Sequence, residues 1–321
     1  MIHVYPTRAE WLAAREGRVG ASEVFYLLQQ PAKFLQRRAV PLEDNDDLWR
    51  GRMIEPYIGL CYGRQTGQEA QHPGLLLAGS LDALVVETHD AAPWASYSPD
   101  FYVGGLDGPG IVETKSQRRR QGWADEDTEV TSVDALAEGT APVHMIFQCY
   151  WQLLISGRAW VDLTALLPNY ELRIVRVHRD EEFQSDLLAA VAEARDRYII
   201  RSEIPPPSAS RAYAAELGRR FPQEGKTVRR ATNAEDALIG RYARAKAEAE
   251  AAKDAADLLK HQILAAVGAD YGLRGPSGKV TAPTVARETF ALSECPDDVR
   301  AMLEARGLIG RGATYRQVRL S

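Results

Sequence analysis

The 321 residues include only three cysteines, Cys61, Cys149 and Cys295, far apart and without C-x-x-C spacing. That argues against a disulfide framework, a zinc cluster or a four-cysteine iron–sulfur site, and it fits a reducing, cytoplasmic setting. No apolar run approaches the roughly 20 residues of a membrane span. The opening stretch carries Glu10 and Glu16 and no continuous apolar core, so it does not read as a secretory signal. The six histidines lack metal-ligand spacing, and no G-x-x-x-x-G-K-[ST] loop is present to indicate ATP use. Net charge is small too, with 39 basic against 44 acidic residues leaving −5. Coating nucleic acid by bulk charge is thereby disfavoured; a local basic groove is not.

What is there is an ordinary globular composition, 45% hydrophobic and 26% charged, in a chain long enough for a sizeable core. Positive charge gathers at Arg37 and Arg38, Arg50 and Arg52, Arg118 to Arg120, and Arg229 and Arg230. Thr7 and Glu10 stand at capping-box spacing for a first helix that Gly17 stops. Ser22 reads as the N-cap of a second helix over 23–28. A third is expected around 53–66, with Pro56 in its first turn.

Residues 75–86 and 111–115 read as strands bounded by Gly and Pro. Between them, 87–110 is rich in Gly and Pro and reads as a long irregular insertion. A buried helix is expected over 143–156, ending at Gly157, then strands at 160–167 and 172–178 and an amphipathic helix at 181–198. This succession predicts an α/β (α+β) layer fold.

The run Ile204-Pro205-Pro206-Pro207 marks a boundary. It divides the chain into a first domain over 1–204, a linker over 205–231, and 232–321 as a long helical arm with a small β-containing tail. A second capping box, Thr232 and Glu235, opens a helix running to Gly268. Leu238, Tyr242, Ala245, Ala249, Ala252, Ala256, Leu259, Ile263 and Ala266 recur along it in steps of three and four, a heptad seam. Such an arm either folds back on its own chain or forms a coiled coil between chains. The tail shows a helical stretch at 297–305 and an alternating strand at 315–320.

The chemistry-bearing constellation is Asp82 followed by Glu113-Thr114-Lys115. Residues i and i+2 of a strand share a face, so Glu113 and Lys115 project together. Burying both is costly unless they pair or bind an ion. Two carboxylates and the backbone carbonyl of Thr114 are hard oxygen ligands suited to Mg²⁺ or Mn²⁺. Such an ion activates water, and Lys115 would orient or activate the nucleophile. The bland alternative is a solvated strand with an ordinary ion pair. Asp100, in Ser98-Pro99-Asp100, competes with Asp82 for the first carboxylate. Asp82 is preferred because it falls in an apolar run, whereas Asp100 falls in the insertion.

The D … E-x-K pattern is that of PD-(D/E)XK nucleases, and its surroundings sharpen the likeness. The segment from Trp11 to Val24, Gly51-Arg-Met-Ile-Glu55-Pro56, His72-Pro73 with Leu81-Asp82-Ala83, the 111–115 strand, Pro142 to Gly157, and Val177 to Glu182 follow in order. Together they resemble the phage lambda exonuclease and YqaJ-like viral recombinase family over residues 7–200. The resemblance implies a restriction-endonuclease-like core, a central mixed sheet flanked by helices. It implies an enzyme degrading linear double-stranded DNA from a 5′ end with Mg²⁺ or Mn²⁺. Glu55, Asp82 and Glu113 would form the acidic shell, Lys115 the catalytic lysine, and Gln148 a site-organising residue. Arg15 and Ser22 would bind the 5′-terminal phosphate, and Arg118 and Arg119 suit backbone phosphates. A ring-shaped trimer and a single-strand annealing protein as partner are implied as well.

The family's Gln-x-Gln reads Gln148-x-Tyr150 here, so only Gln148 carries over. Tyr150 and Trp151 read as core aromatics or as a stacking platform for a base. His144, in an apolar run, reads as a core or wall residue.

Overall fold

The structure, a computed structural model, describes residues 1–39, 46–222, 228–283 and 296–306. The chain divides into two compact units, Met1–Glu216 and Leu217–Ser321. No helix of the described residues is long and apolar enough to cross a membrane.

In the first unit the elements run β1 (Ile2–Tyr5), α1 (Arg8–Arg15), β2 (Val19–Gly20), α2 (Val24–Gln29), α3 (Pro31–Ala39), α4 (Asp46–Thr66) and α5 (Pro73–Ala78). Then come β3 (Leu84–Thr88), β4 (Ala95–Tyr97), β5 (Phe101–Val103), β6 (Gly110–Ser116), β7 (Thr128–Val130), α6 (Val143–Ser156), β8 (Trp160–Leu166), β9 (Leu172–His178) and α7 (Glu181–Arg195). The division between units falls within α8 (Arg211–Arg220).

Two mixed sheets result, one of four strands in the order β1-β3-β4-β2 and one of five in the order β5-β6-β8-β9-β7. In the larger sheet β6 pairs antiparallel with β5 and parallel with β8, and β8 pairs antiparallel with β9. The α/β class expected from the order of elements is what the molecule shows.

Alternation along β6 divides the interior. Ile111 joins the larger core with Ile146, Cys149, Leu153, Val161 and Val175, beneath α6. Val112 joins a smaller cluster with Tyr62, Phe101, Val103 and Ile174. Helix α6 is buried over most of its length because its sequence is apolar almost all round. Gly157 ends it in the left-handed conformation, φ 71°. Gly110 opens β6 because the Trp160 indole lies where its Cβ would stand, 2.1 Å away.

Several local expectations need correction. Residues 75–86 are not one strand: His72 caps α5 by accepting the Gly74 N–H at 3.2 Å, Pro73 takes the first turn, and Gly79 closes it at φ 65°. Only Leu84 onward is extended. The supposed insertion 87–110 contains the end of β3 and all of β4 and β5, short strands that Gly and Pro merely punctuate. Ser22 is not an N-cap but lies inside a 3₁₀ turn, Ala21–Glu23, whose capping residue is Gly20. Pro56 is interior to α4, on its exposed face, rather than in its first turn.

In the second unit the Thr232 and Glu235 capping box opens α9 (Asn233–Val267). Thr232 Oγ1 accepts the Glu235 N–H at 3.3 Å, and Glu235 Oε2 accepts the Thr232 N–H at 2.8 Å. Large seam residues, Leu238, Tyr242, Leu259 and Ile263, are exposed. A hairpin follows, β10 (Gly272–Gly275) with β11 (Gly278–Thr281), and then α10 (Asp297–Ala305). Cys295 and the expected strand at 315–320 lie outside the described residues.

Candidate active site

The register of β5 on β6 sets the site. Phe101 pairs with Val112, so one further step brings Asp100 level with Glu113. Asp100 is fastened there: its Oδ2 accepts the Thr114 backbone N–H at 2.8 Å and the Thr114 hydroxyl at 2.9 Å. The turn before it is held from both sides. Tyr97 at the end of β4 and Tyr102 in β5 both donate their hydroxyls to Oε1 of buried Glu87, Tyr97 at 2.7 Å. Trp11 Nε1 donates to Ser98 Oγ at 3.1 Å. Arg158 lies over the Tyr102 ring and donates to the Leu106 and Gly108 carbonyls, both at 2.6 Å, fixing the loop from β5 to β6.

Glu113 is 2% exposed and both its oxygens are engaged. Gln148 Nε2 donates to Oε1 at 2.6 Å, Gln152 Nε2 donates to Oε2, and the Lys115 ammonium contacts Oε1. The two amides are one helical turn apart on α6, so a single helix face grips the carboxylate. The grip costs something, since the fully buried Gln152 leaves its own amide oxygen without a partner.

These groups open into a cleft of about 740 Å³, lined among others by Arg50, Arg52, Glu55, Asp100, Glu113, Thr114, Lys115, Arg118 and Arg119. Burial and the neighbouring Glu113 push the Glu55 carboxyl up to about 7, against the opposing pull of Lys115 and Arg52. Burial, then Glu113 and Glu55, raise Asp100 well above the ordinary carboxylate range. Burial alone would lower Lys115, but Glu113 and Asp100 outweigh it and keep the amine above its ordinary value. Cys149, on the same side of the sheet, is pushed well up by burial and by Glu113, so it remains a thiol.

Among the described residues no three His, Cys, Asp or Glu side chains form a ready-made metal cage. The donor set nevertheless fits a hard divalent cation. Three carboxylates meet at one cleft, and two of them tend to hold a proton because burial and the neighbouring carboxylates outweigh the pull of Lys115.

The expected residues thus separate. Glu55, Glu113, Thr114, Lys115, Arg118 and Arg119 line the cleft, and Gln148 holds Glu113 from behind. Asp100 lines it too, whereas Asp82 does not: it is exposed in the turn between α5 and β3, where its N–H bonds Ser80 Oγ at 3.1 Å. The preference for Asp82 is therefore corrected, because the apolar run before it is the helix α5 and not a strand of the cleft.

Arg15 and Ser22 lie outside the cleft lining. The Arg15 guanidinium stacks on Trp11, 4.3 Å from its centroid, and its pKa is lowered by burial, partly offset by Glu23. Ser22 is exposed, and the turn it occupies already has an anion, since Glu23 Oε2 accepts the Gly20 N–H at 2.9 Å. Tyr150 and Trp151 are fully buried, which removes the stacking alternative.

Sequence reasoning missed Gln152 and Glu87. The first was detectable at i+4 from Gln148; the second carries no local signal, because its tyrosine partners come from two other strands.

No family model matches the chain, and no curated protein matches it in sequence. Among solved structures it is similar to the alkaline exonuclease LHK-Exo from Laribacter hongkongensis, at 22% identity and a TM-score of 0.44, over 60% of this chain and 97% of that one. The complex of LHK-Exo with dAMP gives the same values. SSO0001 is similar at 8% identity and a TM-score of 0.31, over 59% of this chain and 88% of that one. At these levels the functional reading stands on the geometry of the cleft.

Proposed function

We propose that the protein is a divalent-cation-dependent deoxyribonuclease that hydrolyses phosphodiester bonds in this cleft. The observation that carries the reading is the meeting of Asp100, Glu113 and Lys115 in one cleft, with arginines around them. Asp100 and Glu113 would hold the cation, with Glu55 and the Thr114 carbonyl beside them. When bound, it supplies Lewis acidity toward the phosphate and an acidified water.

The chain's own residues do the rest. Arg118, Arg119, Arg50 and Arg52 surround the cleft with charge for the polynucleotide backbone. Gln148 and Gln152 fix Glu113, so that carboxylate needs no reorganisation when charge develops. Lys115, protonated while it faces Glu113, is placed to turn to the phosphate or the attacking water once Glu113 is otherwise engaged.

The finer reading is a 5′-to-3′ exonuclease on linear duplex DNA, of the phage recombination type. Arg15, with Ser22 nearby, would take the terminal phosphate, since its Trp11 support is bonded to the turn that bears Asp100. A ring-shaped trimer and an annealing partner belong to the same reading.

The test uses the full chain, Mg²⁺ and a linear duplex labelled at either the 5′ or the 3′ end, beside a covalently closed circle. Release of the 5′ label with the circle left intact is the expected result. Cutting of the circle makes the enzyme an endonuclease. Lys115→Ala must abolish release, and undiminished hydrolysis by that variant would overturn the mechanism. Binding of DNA with no cation-dependent hydrolysis would leave a DNA-end-binding protein.

A further inference from the structure

Gln152, Gln148 and His144 follow one another at four-residue steps along α6 and so form one stripe of that helix. The inner two hold Glu113. His144, at the outer end, meets a different set of groups. Its ring centroid lies 6.0 Å from that of Tyr26 and 6.1 Å from that of Phe25, both on α2. Two cations from α3 stand over the Tyr26 ring, Lys33 Nζ at 4.7 Å and Arg37 Cζ at 4.6 Å from its centroid. Both are exposed, and among the described residues neither is paired with a carboxylate.

A purely structural role explains part of this arrangement, since Tyr26 and Phe147 pack partly against the core. It does not call for two exposed cations above one ring. After burial, the charges that lower the His144 pKa are Lys115, Lys33 and Arg37, in that order, so this ring feels the active-site amine as well as the α3 cations. The imidazole is therefore neutral at pH 7, an unprotonated ring surface against Tyr26. Ring contact holds such cations only weakly, so an arriving phosphate can draw them off the ring and expose it. Basic groups beside aromatic rings are the arrangement by which proteins hold single strands irrespective of sequence.

We propose that His144, Tyr26, Lys33 and Arg37 form a shelf for one nucleotide of the polynucleotide strand next to the bond that is cut. Lys33 and Arg37 take its phosphate, and Tyr26 and His144 take its base. The shelf deepens the nuclease reading and rests on it.

The test is binding of a short fluorescein-labelled deoxyoligonucleotide to the full chain in EDTA, followed by anisotropy, together with Mg²⁺-dependent hydrolysis of linear duplex. Lys33→Glu/Arg37→Glu alters two exposed side chains and is expected to weaken binding at least about tenfold and flatten its dependence on salt. Tyr26→Leu keeps the apolar packing and is expected to weaken binding about threefold, with KM rising more than kcat falls. If Tyr26→Leu fails to fold, judged by its melting curve, the charge-reversal variant decides. Wild-type affinity and salt slope in that variant would overturn the shelf while leaving the nuclease reading intact. A wild-type protein that neither binds the oligonucleotide nor cuts duplex would instead remove the nuclease reading itself.

Discussion

Ser80-Leu81-Asp82 and Ser98-Pro99-Asp100 are turns that each place a serine two residues before an aspartate. The first joins a helix to a strand at the surface. Ser80 Oγ accepts the Asp82 N–H, and the carboxylate remains exposed. The second joins two strands that are both tied to buried Glu87, and there the carboxylate is turned onto Thr114 beside Glu113. Nearly the same local sequence serves a solvated turn in one place and a cleft in the other. The difference lies in what the flanking elements are attached to.

The comparison is broken most directly by neutralising each aspartate in turn. Asp100→Asn keeps the size of the side chain but removes the carboxylate it would offer the cation. It is expected to lower cation-dependent hydrolysis of linear duplex by about 10²- to 10³-fold, the usual scale for losing one preorganised electrostatic group. Asp82→Asn should leave the initial rate within about twofold. Equal losses in the two variants would mean that the cleft is not where the chemistry occurs.

That contrast also marks where the sequence was legible. The strand carrying Glu113 and Lys115 was readable from its β-rich composition between Gly and Pro, and the helix carrying Gln148 from its apolar run closed by Gly157, while the role of Gln148 came only from the family resemblance. The choice between the aspartates was misread for two reasons. Leu75 to Ala78 is an apolar run too short to tell helix from strand, although Pro73 and Gly79 were the helix's own start and stop signals. Residues 95–97 and 101–103 are three-residue strands whose Gly- and Pro-rich surroundings resemble a loop. Their identity depends on pairing with β3 and β6, which no local pattern discloses. Gln152 is marked only by helix geometry, which brings the residue four positions after Gln148, and not the one two positions after it, onto the same face.

The next contrast concerns the tie itself. Glu87 is a buried acceptor for two phenols that stay protonated, because burial and Glu87 together raise the pKa of both Tyr97 and Tyr102. Glu87→Ala strands both hydroxyls and opens a void, so a loss of about 2–4 kcal/mol in unfolding free energy is expected in urea titrations. Glu87→Gln keeps an acceptor and should recover roughly half of it. A variant with full stability and reduced hydrolysis would show that Glu87 acts on the cleft alone.

A third contrast uses protons. Glu55 is held near 7 in the folded protein, above its ordinary value of about 4.5, by burial and by Glu113. The folded state therefore binds a proton more tightly than the unfolded chain. Stability from this source is complete below about pH 4.5 and is lost as pH rises through about 7. In EDTA the wild-type melting temperature is expected to fall by about 5 °C more than that of Glu55→Gln between pH 5 and pH 7.5. Mg²⁺ should narrow that gap by replacing the proton as counter-charge. Parallel pH curves for the two proteins would sever Glu55 from the cluster.

The smallest expected effect distinguishes the two serines. Ser80 Oγ serves an exposed turn, and Ser80→Ala should change unfolding free energy by no more than about 0.5 kcal/mol. Ser98 Oγ accepts from the Trp11 indole, and on the same ring rests the Arg15 guanidinium, 4.3 Å from its centroid. Ser98→Ala should therefore cost about 1 kcal/mol, the net worth of one hydrogen bond. It should also loosen α1 from the turn that bears Asp100, which calls for a second readout. If Arg15 receives a terminal phosphate, the variant's KM should rise more for 5′-phosphorylated duplex than for 5′-hydroxyl duplex, with kcat nearly unchanged on both. An equal rise on both substrates would confine Ser98 to stability and leave the recognition of the end to other residues.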